Sequence, residues 1–143
     1  METGLSFSEI RELFSLKEAD LRTMSPLGLA FLGDAVYTLV ARSVVAGEKN
    51  MSPNAFHRRT SEIVNAKAQA EAYDGILPEL TEEEKDVLRR GRNAHPATVA
   101  KHASVGDYRK ATGLEALIGF LYMDGQTERM MELIKSCIKL KTD

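Results

Sequence analysis

Apolar residues recur at intervals of three and four along most of the chain, and no β-branched alternation is sustained enough to suggest a strand. The pattern predicts an all-α protein. A short helix is expected from about Ser8 to Ser15, and a second short piece over Lys17 to Thr23. Ser25-Pro26 supplies an N-cap followed by proline at the first helical position, opening a long helix to about Ala46 that Gly47 should end. Ser52-Pro53 repeats the signal for a helix to about Tyr73, carrying Phe56, Ile63 and Val64 and stopped by Asp74-Gly75. Thr81 to Glu84 reads as a capping box for a helix toward Arg90, closed by Gly91, with Asn93 to Pro96 as a loop. A second long helix is expected from about Asp107 to Asp124, with Gly125 as its left-handed terminator. The last helix, from about Thr127 to Leu140, would pack Met130, Leu133, Ile134 and Ile138.

Two acids interrupt this apolar pattern. In "LGLAFLGDAV", residues 27–36, Asp34 stands among apolar side chains, with Ala30, Phe31, Tyr37 and Thr38 nearest to it on its helical face. Glu115 on the second long helix is flanked by Ala111, Thr112, Ile118 and Gly119. Burying an unpaired carboxylate costs several kcal/mol, and each mid-helix glycine costs about 1 kcal/mol more, so both features need a reason. Gly33 beside Asp34 and Gly119 one turn past Glu115 would let the two helices approach closely, bringing the carboxylates together. Carboxylates gathered near apolar surface resist ionisation unless a cation neutralises them, and their hard oxygens suit Mg²⁺ or Mn²⁺. The alternative is that Asp34 bonds a buried donor and Glu115 pairs with a basic residue.

Length and composition bound the rest. The chain of 143 residues has no internal repeat and no Pro- or Gly-rich linker, so one domain over residues 1–143 is expected. Cys137 is the single cysteine, which excludes an internal disulfide or a cysteine-based zinc cluster. His57, His95 and His102 lack the i, i+4 spacing of a helical metal pair. Charges through the first thirty residues leave no signal-peptide core, and the uncharged stretch Thr23 to Gly33 is short for a membrane span. A soluble, cytoplasmic protein with no membrane partner is expected.

The net charge of −2 is unevenly distributed. Between Lys85 and Lys110 there are seven basic residues against two acids, a net of +5 on an otherwise acidic chain. Such segregation can mark a nucleic-acid footprint, although a solvated charged helix gives the same count.

"LAFLGDAV" resembles the signature helix of the ribonuclease III family, and "LEALIGFLYMDG" resembles that family's second catalytic stretch. The two motifs occur in the expected order and separation, and the resemblance covers about residues 20–140. The stretch "RRGRNAHP" followed by "YRKATGLEALIGFLYMDG" is similar to the short bacterial branch, Mini-ribonuclease III. No double-stranded-RNA-binding domain is expected, because the chain stops at Asp143. Full-length relatives usually carry further acids four residues before the signature aspartate and three before the glutamate; here Ala30 and Thr112 occupy those positions.

The resemblance implies Asp34 and Glu115 as catalytic metal ligands, with Mg²⁺ as cofactor and Mn²⁺ as a substitute. It implies hydrolysis of double-stranded RNA to 5′-phosphate and 3′-hydroxyl ends, with the precursor of 23S ribosomal RNA as substrate. It also implies a homodimer through the signature helix, with Phe31 and Tyr37 as interface candidates and core packing as the alternative for both. A ribosomal protein is left open as a further partner. With no separate RNA-binding domain, the catalytic body must grip the duplex itself. Arg90, Arg92, Asn93 and His95 are the first candidates, His57, Arg58 and Arg59 a second patch, and Lys101 and Lys110 further contributors. A non-catalytic RNA-binding or ribosome-associated protein on the same fold is the competing function, motivated by Ala30 and Thr112. A purely structural helical oligomer would explain the glycines but not the matched acids.

Overall fold

A computed structural model describes residues 5–94 and 104–142, with the side chains from residue 139 onward outside the description. Its elements are α1 (Phe7–Leu13), α2 (Pro26–Glu48), α3 (Pro53–Val64), α4 (Ala66–Ile76), a 3₁₀ turn (Leu77–Glu79), α5 (Glu82–Asn93), α6 (Val105–Met123) and α7 (Thr127–Thr142). The protein is all-α.

The start signals operate as their chemistry requires. Ser25, Ser52, Thr81 and Ser104 each accept a bond from a backbone N–H in the first turn that follows, satisfying a donor that the helix itself leaves unpaired. At Thr81 the box is complete: Glu84 N–H donates to the Thr81 hydroxyl at 3.1 Å, and Thr81 N–H donates to the Glu84 carboxylate at 2.9 Å.

The stop signals behave differently. The expected helix from Ser52 to Tyr73 breaks in two at Asn65, which ends α3 and caps α4 by accepting from Ala68 N–H at 2.8 Å. Gly47 and Gly75 lie inside α2 and α4. Gly91 lies inside α5 because that helix packs on α6 there: a Cβ at Gly91 would come 2.9 Å from Gly113 Cα and 2.7 Å from Ala116 Cβ. Gly125 alone does the expected work, at φ 76. The piece expected at Lys17 to Thr23 is not helical. Asp20 accepts from Arg22 N–H at 3.0 Å and its carbonyl accepts from the Thr23 hydroxyl at 3.0 Å, a local turn that competes with a helix.

α6 forms the axis of the molecule. Residues 111–114 and 116–121 are all buried, and α2, α4 and α5 pack around them, with α7 against α4 and α6. A helix apolar on every side belongs at the centre of a core. α2 is long and apolar enough, by length and composition, to cross a membrane, but one side of it is packed against α6. Leu29, Tyr37, Ala41 and Val45 of α2 meet Leu114, Leu117, Leu121, Leu133 and Ile134 in one apolar cluster. Arg129 of α7 then ties the capping box to the core: its Nε and one terminal nitrogen donate to Glu84 at 2.9 Å each, and that nitrogen also donates to the Glu79 carbonyl.

Candidate active site

α2 and α6 cross in backbone contact. A Cβ at Gly33 would lie 1.7 Å from the Glu115 carbonyl oxygen, and a Cβ at Gly119 would lie 1.9 Å from the Leu29 carbonyl oxygen. No other residue fits at either position. The crossing sets the residue after Gly33 beside the residue before Ala116, so that Asp34 and Glu115 share a side-chain hydrogen bond. Asp34 lies on the exposed side and also accepts from the Thr38 hydroxyl at 3.4 Å, while Glu115 is half-buried.

Two acids that share a hydrogen bond need a proton between them. Burial, and then the Asp34 carboxylate beside it, push Glu115 up to about 8, with a weaker opposing pull from the Gln69 amide. At neutral pH, Glu115 therefore keeps its proton. Among the described residues neither acid forms an ion pair, so the alternative in which Glu115 meets a lysine or arginine does not hold.

A divalent cation could take the place of that proton. Mg²⁺ binds hard oxygens, commonly through one or two protein carboxylates with water and substrate phosphate completing its shell. Two carboxylates fit that requirement, and among the described residues no group of three or more His, Cys, Asp or Glu side chains is arranged to hold a metal. The two positions at which further acids would be expected from the full-length pattern contribute no carboxylate here. Ala30 is buried, and the Thr112 hydroxyl is turned away to donate to the Tyr108 carbonyl at 3.0 Å.

Residues 27–126, which contain both acids and the glycine crossing, match the Ribonuclease III domain family. A Mini-ribonuclease 3 of Thermoanaerobacter is 45% identical over 136 residues, covering 95% of this chain and 94% of the relative. A Mini-ribonuclease 3 of Brevibacillus brevis is 42% identical over 121 residues, covering 85% of this chain and 90% of that one. The chain belongs to the ribonuclease III family, in its Mini-ribonuclease III branch. A crystal structure of a Fusobacterium nucleatum protein shares the fold at a TM-score of 0.76 and 34% identity, covering 84% of this chain and 96% of that one. As a Mini-ribonuclease III, the protein is an endoribonuclease.

The remaining expected residues of this ribonuclease divide by what already holds them. Arg90, Arg92 and Asn93 form the last turn of α5 and not a loop, since the helix continues through Gly91. Arg92 N would lie 3.1 Å from a Cβ at Gly113, so the end of α5 sits against α6 two residues before Glu115. Arg90 is paired with Asp86 at 3.3 Å, and Arg92 donates to the Asn93 side chain at 3.3 Å. His57 and Arg58 are exposed on α3. Arg59 is committed to Glu48 and Glu62, both at 3.2 Å, and pins α3 to the end of α2. Lys110 donates to both Asp74 oxygens at 2.9 and 3.0 Å and lies 5.7 Å above the Tyr73 ring, so its charge is spent within the protein. His95 and Lys101 lie outside the described residues.

Phe31 and Tyr37, taken together as interface candidates, part company. Phe31 is 83% exposed, whereas Tyr37 is 1% exposed and points into the core. Six residues on a helix is 1.7 turns, which turns the two side chains to different sides. The Tyr37 hydroxyl bonds to Cys137 of α7, and burial raises the pKa of both, the thiol to about 12. The apolar surface beside Phe31 is instead a groove of about 340 Å³ formed by Leu32, Val36, Leu39, Val40, Tyr122 and Met131 among its walls.

Gln69 of α4 went unread in the sequence. It is 2% exposed, donates from Nε2 to the Val64 carbonyl at 3.1 Å, and meets Glu115. A long amide inside the alanine-rich run Ala66, Ala68, Ala70 and Ala72 was the available signal.

Proposed function

We propose that the protein cleaves double-stranded RNA at a Mg²⁺ site held by Asp34 and Glu115, that Mn²⁺ can substitute, and that it works as a cytoplasmic homodimer maturing the 23S ribosomal RNA precursor. The observation that carries this reading is the proton-sharing pair itself: two carboxyls from separate helices are driven together at a glycine crossing, one of them on the exposed side. Stability alone gives no reason to assemble such a pair. When bound, Mg²⁺ would supply an activated water and neutralise charge building on the scissile phosphate, leaving 5′-phosphate and 3′-hydroxyl ends.

The protein's own contribution is the dry and rigid setting. Glu115 sits over a fully buried stretch of α6, and Asp34 faces outward where a phosphate can reach it. Arg92 and Asn93 stand at the end of α5, close enough along α6 to contact the RNA backbone beside the cut, with His57 and Arg58 as a second exposed contact. A-form RNA offers mainly phosphates and 2′-hydroxyls to such groups.

Dimerisation is supported by the exposed apolar strip on α2, where Phe31 is 83% and Leu39 51% exposed beside the Leu32–Met131 groove. The ribosomal precursor, and any assisting ribosomal protein, follow from the resemblance to the Mini-ribonuclease III branch. The test compares wild type with Asp34→Asn on a duplex RNA in Mg²⁺. Cleavage by wild type alone supports the reading. Bound but intact RNA with both proteins would favour the non-catalytic RNA-binding alternative that Ala30 and Thr112 suggest.

A further inference from the structure

We propose that Gln69 is a positioning residue of the cleavage site: its amide N–H holds the Glu115 carboxyl in place, and its carbonyl oxygen accepts from a water at the carboxylate pair. The inference rests on the reading of Asp34 and Glu115 as the metal-holding pair.

Gln69 is 2% exposed on the face of α4 that packs against α6. Its Nε2 has two hydrogens. One is spent on the Val64 carbonyl, at the break between α3 and α4, and the other is available to Glu115. Its Oε1 is buried without a partner, which among the described residues is true of no other side-chain nitrogen or oxygen. Leaving such an oxygen unpaired costs about 1–3 kcal/mol, a cost that Leu or Met at this position would avoid.

Closing the helix break explains one N–H and nothing more. The oxygen needs a donor, and Glu115 offers none once it is ionised. Thr112, the buried polar residue of α6, has spent its hydroxyl on the Tyr108 carbonyl. Mg²⁺ characteristically keeps several waters, whose O–H groups point outward to acceptors around the site. An amide that clamps a ligand with its N–H and receives a water with its oxygen is the kind of outer partner that fixes a metal site built from few carboxylates.

The experiment uses Gln69→Met, which keeps the length and removes both polar atoms. The expected result is a kcat about 10- to 100-fold lower with KM for duplex RNA within twofold, and Mn²⁺ binding without RNA weakened about tenfold by electron paramagnetic resonance. A kcat and Mn²⁺ affinity within about twofold of wild type would overturn the proposal. Should the variant not fold, the wild-type Gln69 side-chain amide signal decides: it should shift on adding Mg²⁺ and stay put in Asp34→Asn, and an unmoved wild-type signal at saturating Mg²⁺ overturns the idea. If Asp34→Asn cleaves like wild type, the carboxylate-pair reading falls and takes this one with it. If Asp34→Asn is inactive while Gln69→Met is normal, Gln69 alone is misassigned.

Discussion

The carbonyl of Glu115 occupies the space that a side chain at Gly33 would fill, since a Cβ there would lie 1.7 Å from that oxygen. The close approach of α2 and α6 is thus inseparable from the carboxylate pair, and substitution should cost both fold and activity. Gly33→Ala is expected to destabilise by about 3 kcal/mol or more, because the obstacle is backbone and not a movable side chain. Gly47→Ala, where a Cβ meets nothing within 4 Å inside the same helix, should instead stabilise by roughly 0.5–1 kcal/mol. Urea unfolding of the two variants checks the contrast.

The crossing was legible because its marks are local: a glycine next to one acid and another a turn past the other, on helices otherwise apolar. What stayed hidden depended on tertiary contact. Gly91 looks like a terminator in isolation but serves packing, because the partner atoms that exclude a Cβ belong to α6. The break at Asn65 carries no glycine or proline, and only its side chain capping Ala68 N–H reveals it. Tyr37 and Phe31 share one apolar stretch, and nothing in that stretch says which faces the core. Gln69 reads as one polar residue on a helix until α6 brings Glu115 to it.

The raised pKa of Glu115 makes metal binding and stability depend on pH in opposite senses. In the metal-free protein the folded state retains a proton that the unfolded chain gives up above its ordinary value of 4.5. The stabilisation is full below that value and is lost as pH rises to about 8. A cation must displace the same proton, so Mn²⁺ affinity without RNA should rise about tenfold per pH unit over that window and level off above it. Calorimetric titrations at several pH values test this. Asp34→Asn should move Glu115 back toward the carboxylate range while leaving it elevated, because burial is the larger cause.

Glu84 behaves in the reverse sense. Arg129 beside it holds its carboxyl below 4.5, against the cost of burial, and so stabilises the fold above that value; the contribution is lost as pH falls through the lowered one. Glu84 is 4% exposed, and losing its partner strands a buried charge. Arg129→Ala is therefore expected to cost about 3 kcal/mol at neutral pH and to flatten the acid limb of stability in the range below pH 4.5. Denaturant midpoints across that range would show it.

The opposite placement of Phe31 and Tyr37 separates surface from core in solution. Phe31→Asp introduces a charge at a site 83% exposed, so the monomer should fold with stability within about 0.5 kcal/mol of wild type. If α2 forms the proposed dimer interface, sedimentation should nevertheless shift from dimer to monomer. Tyr37→Ala should cost about 3–5 kcal/mol through its cavity, whatever the oligomeric state. An unchanged dimer in Phe31→Asp would move the interface elsewhere.

Salt dependence can tell which cations touch RNA, because each phosphate contact releases counterions and steepens the fall of affinity with salt. Arg92 ends α5 beside Gly113 and, among the described residues, donates only to the neutral Asn93 side chain and pairs with no acid. Lys110 sits within 3.0 Å of both Asp74 oxygens, so its charge is already neutralised locally. Arg92→Ala should therefore lower the logarithmic salt slope by about 0.9 and weaken binding to duplexes of any sequence, consistent with shape-based recognition of A-form RNA. Lys110→Ala should leave the slope unchanged and cost about 0.5 kcal/mol of stability, in keeping with a half-exposed ion pair. Equal slopes for wild type and Arg92→Ala would place the phosphate track away from the end of α5, with Arg58 on α3 as the cation to test next.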